Sequence, residues 1–156
     1  MSRRHFSYLA CGAALLAASI TIVWLFPKEK QTVGILLPDN TEFVSAGKLI
    51  YFENCASCHG NNLEGQVQDW QIPNADGMLP APPHDETGHT WHHSDQLLFE
   101  ITKFGVAKAA NLENYDSAMP AYENLLSDEE ITAVLSYIKS TWPEEKRRLH
   151  DEINKR

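Results

Sequence analysis

Three stretches of the chain repeat apolar residues at helical spacing. Asp39 and Glu42 stand at capping-box spacing, and residues 40–54 are predicted to form a helix with Phe43, Gly47, Ile50 and Tyr51 on one face. A second helix is predicted from Ser94 through Leu97, Leu98 and Ile101 to a stop at Gly105. The third pattern is the clearest. Ser127 and Glu130 repeat the capping-box signal, and Ile131, Val134, Leu135 and Ile138 follow at i, i+3, i+4 and i+7. It should end near Trp142, because Pro143 disfavours helical geometry in the residue before it. Beyond it, Glu144 with Arg148, Asp151 with Lys155 and Glu152 with Arg156 stand at i, i+4, which predicts a short exposed helix with a solvated face. Between Gly60 and His93 lie Pro73, Pro80, Pro82, Pro83 and several glycines without strand alternation, so this segment is read as loop. The fold class expected is all-α. A loop of this length in a small domain needs something to wrap around.

The longest apolar run is of a different kind. Phe6 to Phe26 is 21 residues without a charge, preceded by Arg3, Arg4 and His5 and followed by Lys28, Glu29 and Lys30. At about 1.5 Å per residue it reaches roughly 30 Å, the thickness of a bilayer core. It predicts an uncleaved transmembrane signal anchor over residues 6–26, with Trp24 and Phe26 at the interface. Cleavage after Ala17-Ala18-Ser19 is the alternative, and it would leave an apolar new terminus. Arg3 and Arg4 hold residues 1–5 in the cytoplasm by the positive-inside rule and export the rest. Residues 27–38 are then a linker, 39–143 the folded domain and 144–156 a charged helical tail. Ser2-Arg3-Arg4-His5-Phe6 also has the look of a twin-arginine signal, and Leu9-Ala10-Cys11-Gly12 of a lipoprotein site with too short an apolar lead.

Charge sharpens this division. The net charge of −8 over 156 residues joins a basic terminus to an acidic domain, since residues 31–143 hold 16 acids against Lys48, Lys103, Lys108 and Lys139. Such a surface repels polyanions and excludes nucleic-acid binding as a role. The length allows one modest core beyond the anchor.

Two of the three cysteines stand in Cys55-Ala56-Ser57-Cys58-His59. A zinc half-site needs further ligands, usually a second cysteine or histidine pair at suitable spacing, and the exported part has no other cysteine; a redox dithiol expects a βαβ context, which is absent. His59 directly after Cys58 selects the attachment site of c-type haem, with Cys55 and Cys58 forming thioethers and His59 the proximal iron ligand. A distal ligand is usually Met or His, which leaves Met78, in the Gly- and Pro-rich loop, and Met119, in Ser117-Ala118-Met119-Pro120.

On these residues the chain resembles a small class I monohaem cytochrome c of the bacterial membrane-anchored kind. The resemblance covers roughly residues 39–142. It implies cytochrome c-like helices around one covalent haem c, and a distal methionine from the loop before the last helix, which is Met119 here. It also implies that Gly47 and Tyr51 pack on a C-terminal aromatic, which would be Tyr137.

The segment PPHDETGHTWHHSD departs from the ordinary loop of that family. His89, His92 and His93 could bind copper or another divalent ion. Alternatively one histidine or Trp91 covers the haem edge while the others are solvated. A similar GHTWHH segment occurs in a group of bacterial membrane-tethered cytochromes c. The expected function is an electron carrier, not an enzyme, on the outer face of a bacterial inner membrane with its domain in the periplasm. The partner is a membrane redox complex, donor or terminal oxidase, or a periplasmic redox protein with a basic docking patch. Copper handling, and a catalytic or gas-sensing haem with an open sixth position, are the alternatives.

Overall fold

Helix α1 spans Thr41–Asn54 and begins one residue later than the capping-box spacing suggested. Asn40, extended at φ −84° and ψ 103°, is the cap, and its side-chain oxygen accepts from the Phe43 N–H at 3.0 Å. Asp39 and Asn40 are equally competent caps by chemistry. Asp39 instead accepts from the Arg147 guanidinium at 2.6 Å, across 108 residues, a partner that no local pattern could name.

The computed structural model describes residues 34–156, and the expected anchor over residues 6–26 lies outside them, with the N-terminal segment 1–5 and most of the linker. After α1 come a single turn, α2 (Ala56–His59), a 3₁₀ turn (Thr90–His92), α3 (Asp95–Phe104), the short α4 (Val106–Ala109), α5 (Asp128–Thr141) and α6 (Glu144–Asn154). Among the described residues there is no strand, as expected of an all-α domain, and no helix is long and apolar enough to cross a membrane. Residues 60–89 carry turns and bends only. Ser94 caps α3, and Ser127 with Glu130 forms the full capping box on α5.

The core is the crossing of α1 and α5. Gly47 sits at the crossing, where an added Cβ would lie 2.0 Å from the Ala133 carbonyl oxygen. One helical turn on, Tyr51 is fully buried, with its ring 5.5 Å from that of Tyr137. Ile131, Val134, Leu135 and Ile138 complete the apolar layer. Gly47→Ala is therefore expected to lower stability by about 1–3 kcal/mol through overpacking. The gain of about 0.5–1 kcal/mol in helix propensity offsets only part of it. A denaturant titration of the haem-loaded protein checks this, and an unchanged midpoint would mean that the helices separate freely.

Helix α6 differs from the solvated tail that its charge pattern implied. It does form, but His150 on its inner face is fully buried. Asp151 pairs with Lys139 at 2.7 Å rather than with Lys155, and Glu152 pairs with Lys155. Lys139, on α5, is itself only 2% exposed, and its ammonium also lies 3.8 Å from Asp95 Oδ1. Asp95 accepts from the Leu36 N–H at 3.0 Å and from the Asn154 amide at 2.9 Å, so it ties three segments together. Spacing of charges along one helix could not reveal that one face of α6 has partners in α3 and α5.

Candidate functional site

Helix α1 runs directly into the cysteine turn. Cys55 ends α1 and begins α2, and its carbonyl accepts from both the Cys58 N–H at 3.1 Å and the His59 N–H at 2.9 Å. One turn of helix thus carries Cys55, Cys58 and His59. Cys55 and Cys58 are not joined in a disulfide, and Cys55 is half-buried and Cys58 exposed. Burial, with a smaller contribution from Cys58, pushes the Cys55 thiol up to about 11. A redox dithiol depends on a depressed thiol pKa, so the environment argues against that use of the pair.

His59 is 7% exposed, and its Nδ1–H donates to the Pro82 carbonyl at 2.8 Å. That bond fixes the tautomer, leaving the Nε2 lone pair for a metal. Burial outweighs the Pro82 bond and lowers the pKa of His59, which keeps the ring neutral as ligation requires. Gly60, at φ +83°, turns the chain away immediately after the histidine, and its carbonyl accepts from the Tyr51 hydroxyl at 2.8 Å. Two thiols on one turn beside a neutral, oriented imidazole are the donor set that a c-type haem needs.

The loop that follows α4 returns Met119 to the domain half-buried. Its N–H donates to Ser117 Oγ at 3.1 Å. Three residues on, the buried Tyr122 donates its hydroxyl to the carbonyl of Asn54, the residue before Cys55, at 2.8 Å. The Tyr122 and Glu123 N–H groups donate to Thr102 and Lys103, pinning the same loop to the end of α3. Met78 sits in a turn closed by Asn74, whose side-chain oxygen accepts from the Met78 N–H at 3.0 Å.

His89, His92 and His93 are not brought together as a metal-holding set. Among the described residues no group of three or more His, Cys, Asp or Glu side chains is placed to hold an ion. His89 lies flat on Trp70 at 4.7 Å and edge-on to His93, and His92 stacks on Trp91 at 3.6 Å. Lys146, from α6, covers the Trp91 ring at 3.6 Å. Burial, and then neighbouring imidazoles, lower the pKa of His89 and of His93.

Sequence reasoning named His84 only as the first histidine of the PPHDETGHTWHHSD run and Trp142 only as a helix end, and it missed Tyr122. His84 stacks on His59 with ring centroids 3.9 Å apart, and the Trp142 indole N–H donates to the His84 carbonyl at 2.7 Å. The spacing from His59 carries no signal for the first. The only local hint of the second is a tryptophan held extended before Pro143 at the helix end.

The family model described as Cytochrome c matches residues 44–142. A cbb3-type cytochrome c oxidase subunit FixP from Sinorhizobium medicae (strain WSM419) is 29% identical over 97 residues, which is 62% of this chain and 29% of that protein. A cbb3-type cytochrome c oxidase subunit CcoP from Azospirillum sp. (strain B510) is 30% identical over 95 residues, 61% of this chain and 27% of its own length. The chain therefore spans less than a third of these curated relatives. No solved structure matches. Over the segment that builds the cysteine turn, its helical support and the last core helix, the chain belongs to the cytochrome c family and carries covalent haem c.

Proposed function

We propose that the protein is a monohaem electron carrier tethered by residues 6–26 to the periplasmic face of a bacterial inner membrane. The observation that carries this reading is the commitment of His59 Nδ1–H to Pro82 beside two cysteines that share no disulfide, in a family that carries covalent haem. Cys55 and Cys58 would hold the haem through thioether links, with His59 Nε2 and Met119 Sγ as the donors to its iron. When bound, the haem supplies a one-electron ferric/ferrous couple at a potential raised by thioether ligation. The chain's own work is to hold the donors. Pro82 orients the imidazole, Tyr51 and Gly60 fix the chain on either side of the cysteine turn, and Tyr122 anchors the loop that brings Met119.

Relatives named as subunits of a cbb3-type oxidase support a terminal oxidase as the membrane partner. The acidic domain, including Asp128, Glu129 and Glu130 on the first turn of α5, favours a basic docking patch. Tethering raises the effective concentration near such a partner without any further contact.

In membranes containing a cbb3-type oxidase, the ferrous full-length protein should be oxidised in air, at a rate that falls severalfold as ionic strength rises from 0.01 M to 0.15 M and the screening length shrinks from about 30 to about 8 Å. Oxidation no faster than in membranes lacking the oxidase would eliminate this partner. Separately, Cys55→Ser with Cys58→Ser should release all haem into acidified organic solvent, where the unaltered protein retains it.

A further inference from the structure

His84 is held more firmly than a loop residue at the surface would be. Its N–H donates to the Leu63 carbonyl at 2.8 Å and its carbonyl accepts from the Trp142 indole at 2.7 Å. Its ring Nδ1 shares a hydrogen bond with Thr90 Oγ1 at 2.9 Å, and the Thr90 hydroxyl also lies 3.4 Å from the Pro83 carbonyl. On its edge it meets the buried Tyr51 ring, centroids 6.3 Å apart at 71°. Ring plane, backbone and side-chain nitrogen are each fixed by a different segment. That plane lies against His59 at 3.9 Å with only 21° between the rings.

The proximal imidazole turns about its Cβ–Cγ bond, and the hydrogen bond at Nδ1 limits that turn only within the bond's own angular tolerance. A flat partner against the ring face removes that freedom, because turning either ring would drive its edge into the other. We infer that His84 is a positioning residue, whose ring plane sets the rotation of the His59 imidazole. The inference rests on His59 being the iron ligand. It also gives the PPHDETGHTWHH segment a task. Thr90 holds the His84 ring, so the unusual loop braces the proximal side through a residue that lies before its histidine cluster.

The rotation of an axial imidazole has a direct readout, since a fixed plane spreads the haem methyl resonances of the ferric protein unequally and a rotating one averages them. His84→Ala removes the brace, His84→Leu restores bulk without a plane, and His84→Phe restores the plane without the Thr90 bond. The spread of the methyl resonances is expected to shrink in the Ala and Leu variants and to persist in Phe. A merely space-filling role would lower thermal stability in Ala and leave the spread intact in Leu. Should Ala not be recovered, Leu against Phe decides the matter. A wild-type spread in Leu overturns the proposal. The low-spin histidine signature of the unaltered ferric protein tests the ligation itself, so failure of that reading is seen separately.

Discussion

With Met119 replaced by alanine, the ferric protein is expected to lose the methionine–iron charge-transfer band in the far red, and its reduction potential to fall by about 0.1–0.3 V. Axial ligands move haem potentials over about 0.8 V, and exchanging a thioether for water takes a sizeable part of that range. The direction follows from the ligand's chemistry. A thioether is soft and uncharged and favours the ferrous state, whereas water or hydroxide favours the ferric. At about 59 mV per tenfold, a fall of 0.2 V corresponds to about 5 kcal/mol, more than most single substitutions do to stability. Met78→Ala is the matched control and should leave band and potential unchanged, because the Met78 turn is closed by Asn74 while the Met119 loop is anchored through Tyr122 to the residue before Cys55. Loss of the band in Met78→Ala and its survival in Met119→Ala would reverse the assignment.

What could be read in advance was local. The helices α3 and α5 begin and end where Ser94, Gly105, Ser127 and Trp142 say they should, because caps and periodicity are properties of neighbours along the chain. The cysteine turn was legible for the same reason, as five consecutive residues. Asp39 was misjudged because two adjacent residues could both cap and a distant arginine chose between them. Helix α6 was found, but its role was not: the cation that Asp151 needs stands on another helix. His84 and Trp142 act through contacts 25 and 58 residues away along the chain, which no spacing rule encodes. The histidine run shows the reverse limit. Closeness in sequence left open both a shared ion and separate uses of the rings, and the chain places those rings on Trp70, Trp91 and one another.

Lys139→Ala is expected to cost about 3–5 kcal/mol, the range for removing one partner of a buried ion pair. Lys139 and Asp95 are each 2% exposed, and the ammonium of Lys139 reaches both Asp95 and Asp151. Without it, Asp95 keeps its bonds from Leu36 and Asn154 but loses its buried cationic partner. Lys139→Met with Asp95→Asn should cost less than the single change, since replacing both charges removes the uncompensated ion. The pH dependence identifies the mechanism. Burial, followed by the Lys139 charge, lowers the pKa of His150 to about 4 against the opposing pull of Asp95 and Asp151. Its folded value lies below its unfolded one, so the unfolded chain binds the proton more readily. Stability is therefore full above about pH 6.5 and is lost as pH falls toward 4. Removing Lys139 takes away one cause of the depression and leaves burial alone against the attraction of Asp95, 3.3 Å from His150 Nε2, for the proton. The acid loss attributable to His150 should shrink, and the variant's deficit should narrow between pH 7 and pH 5. Denaturant titrations at the two pH values give both numbers. A deficit that stays constant with pH would mean that Lys139 contributes through packing of its methylene stem and not through its charge.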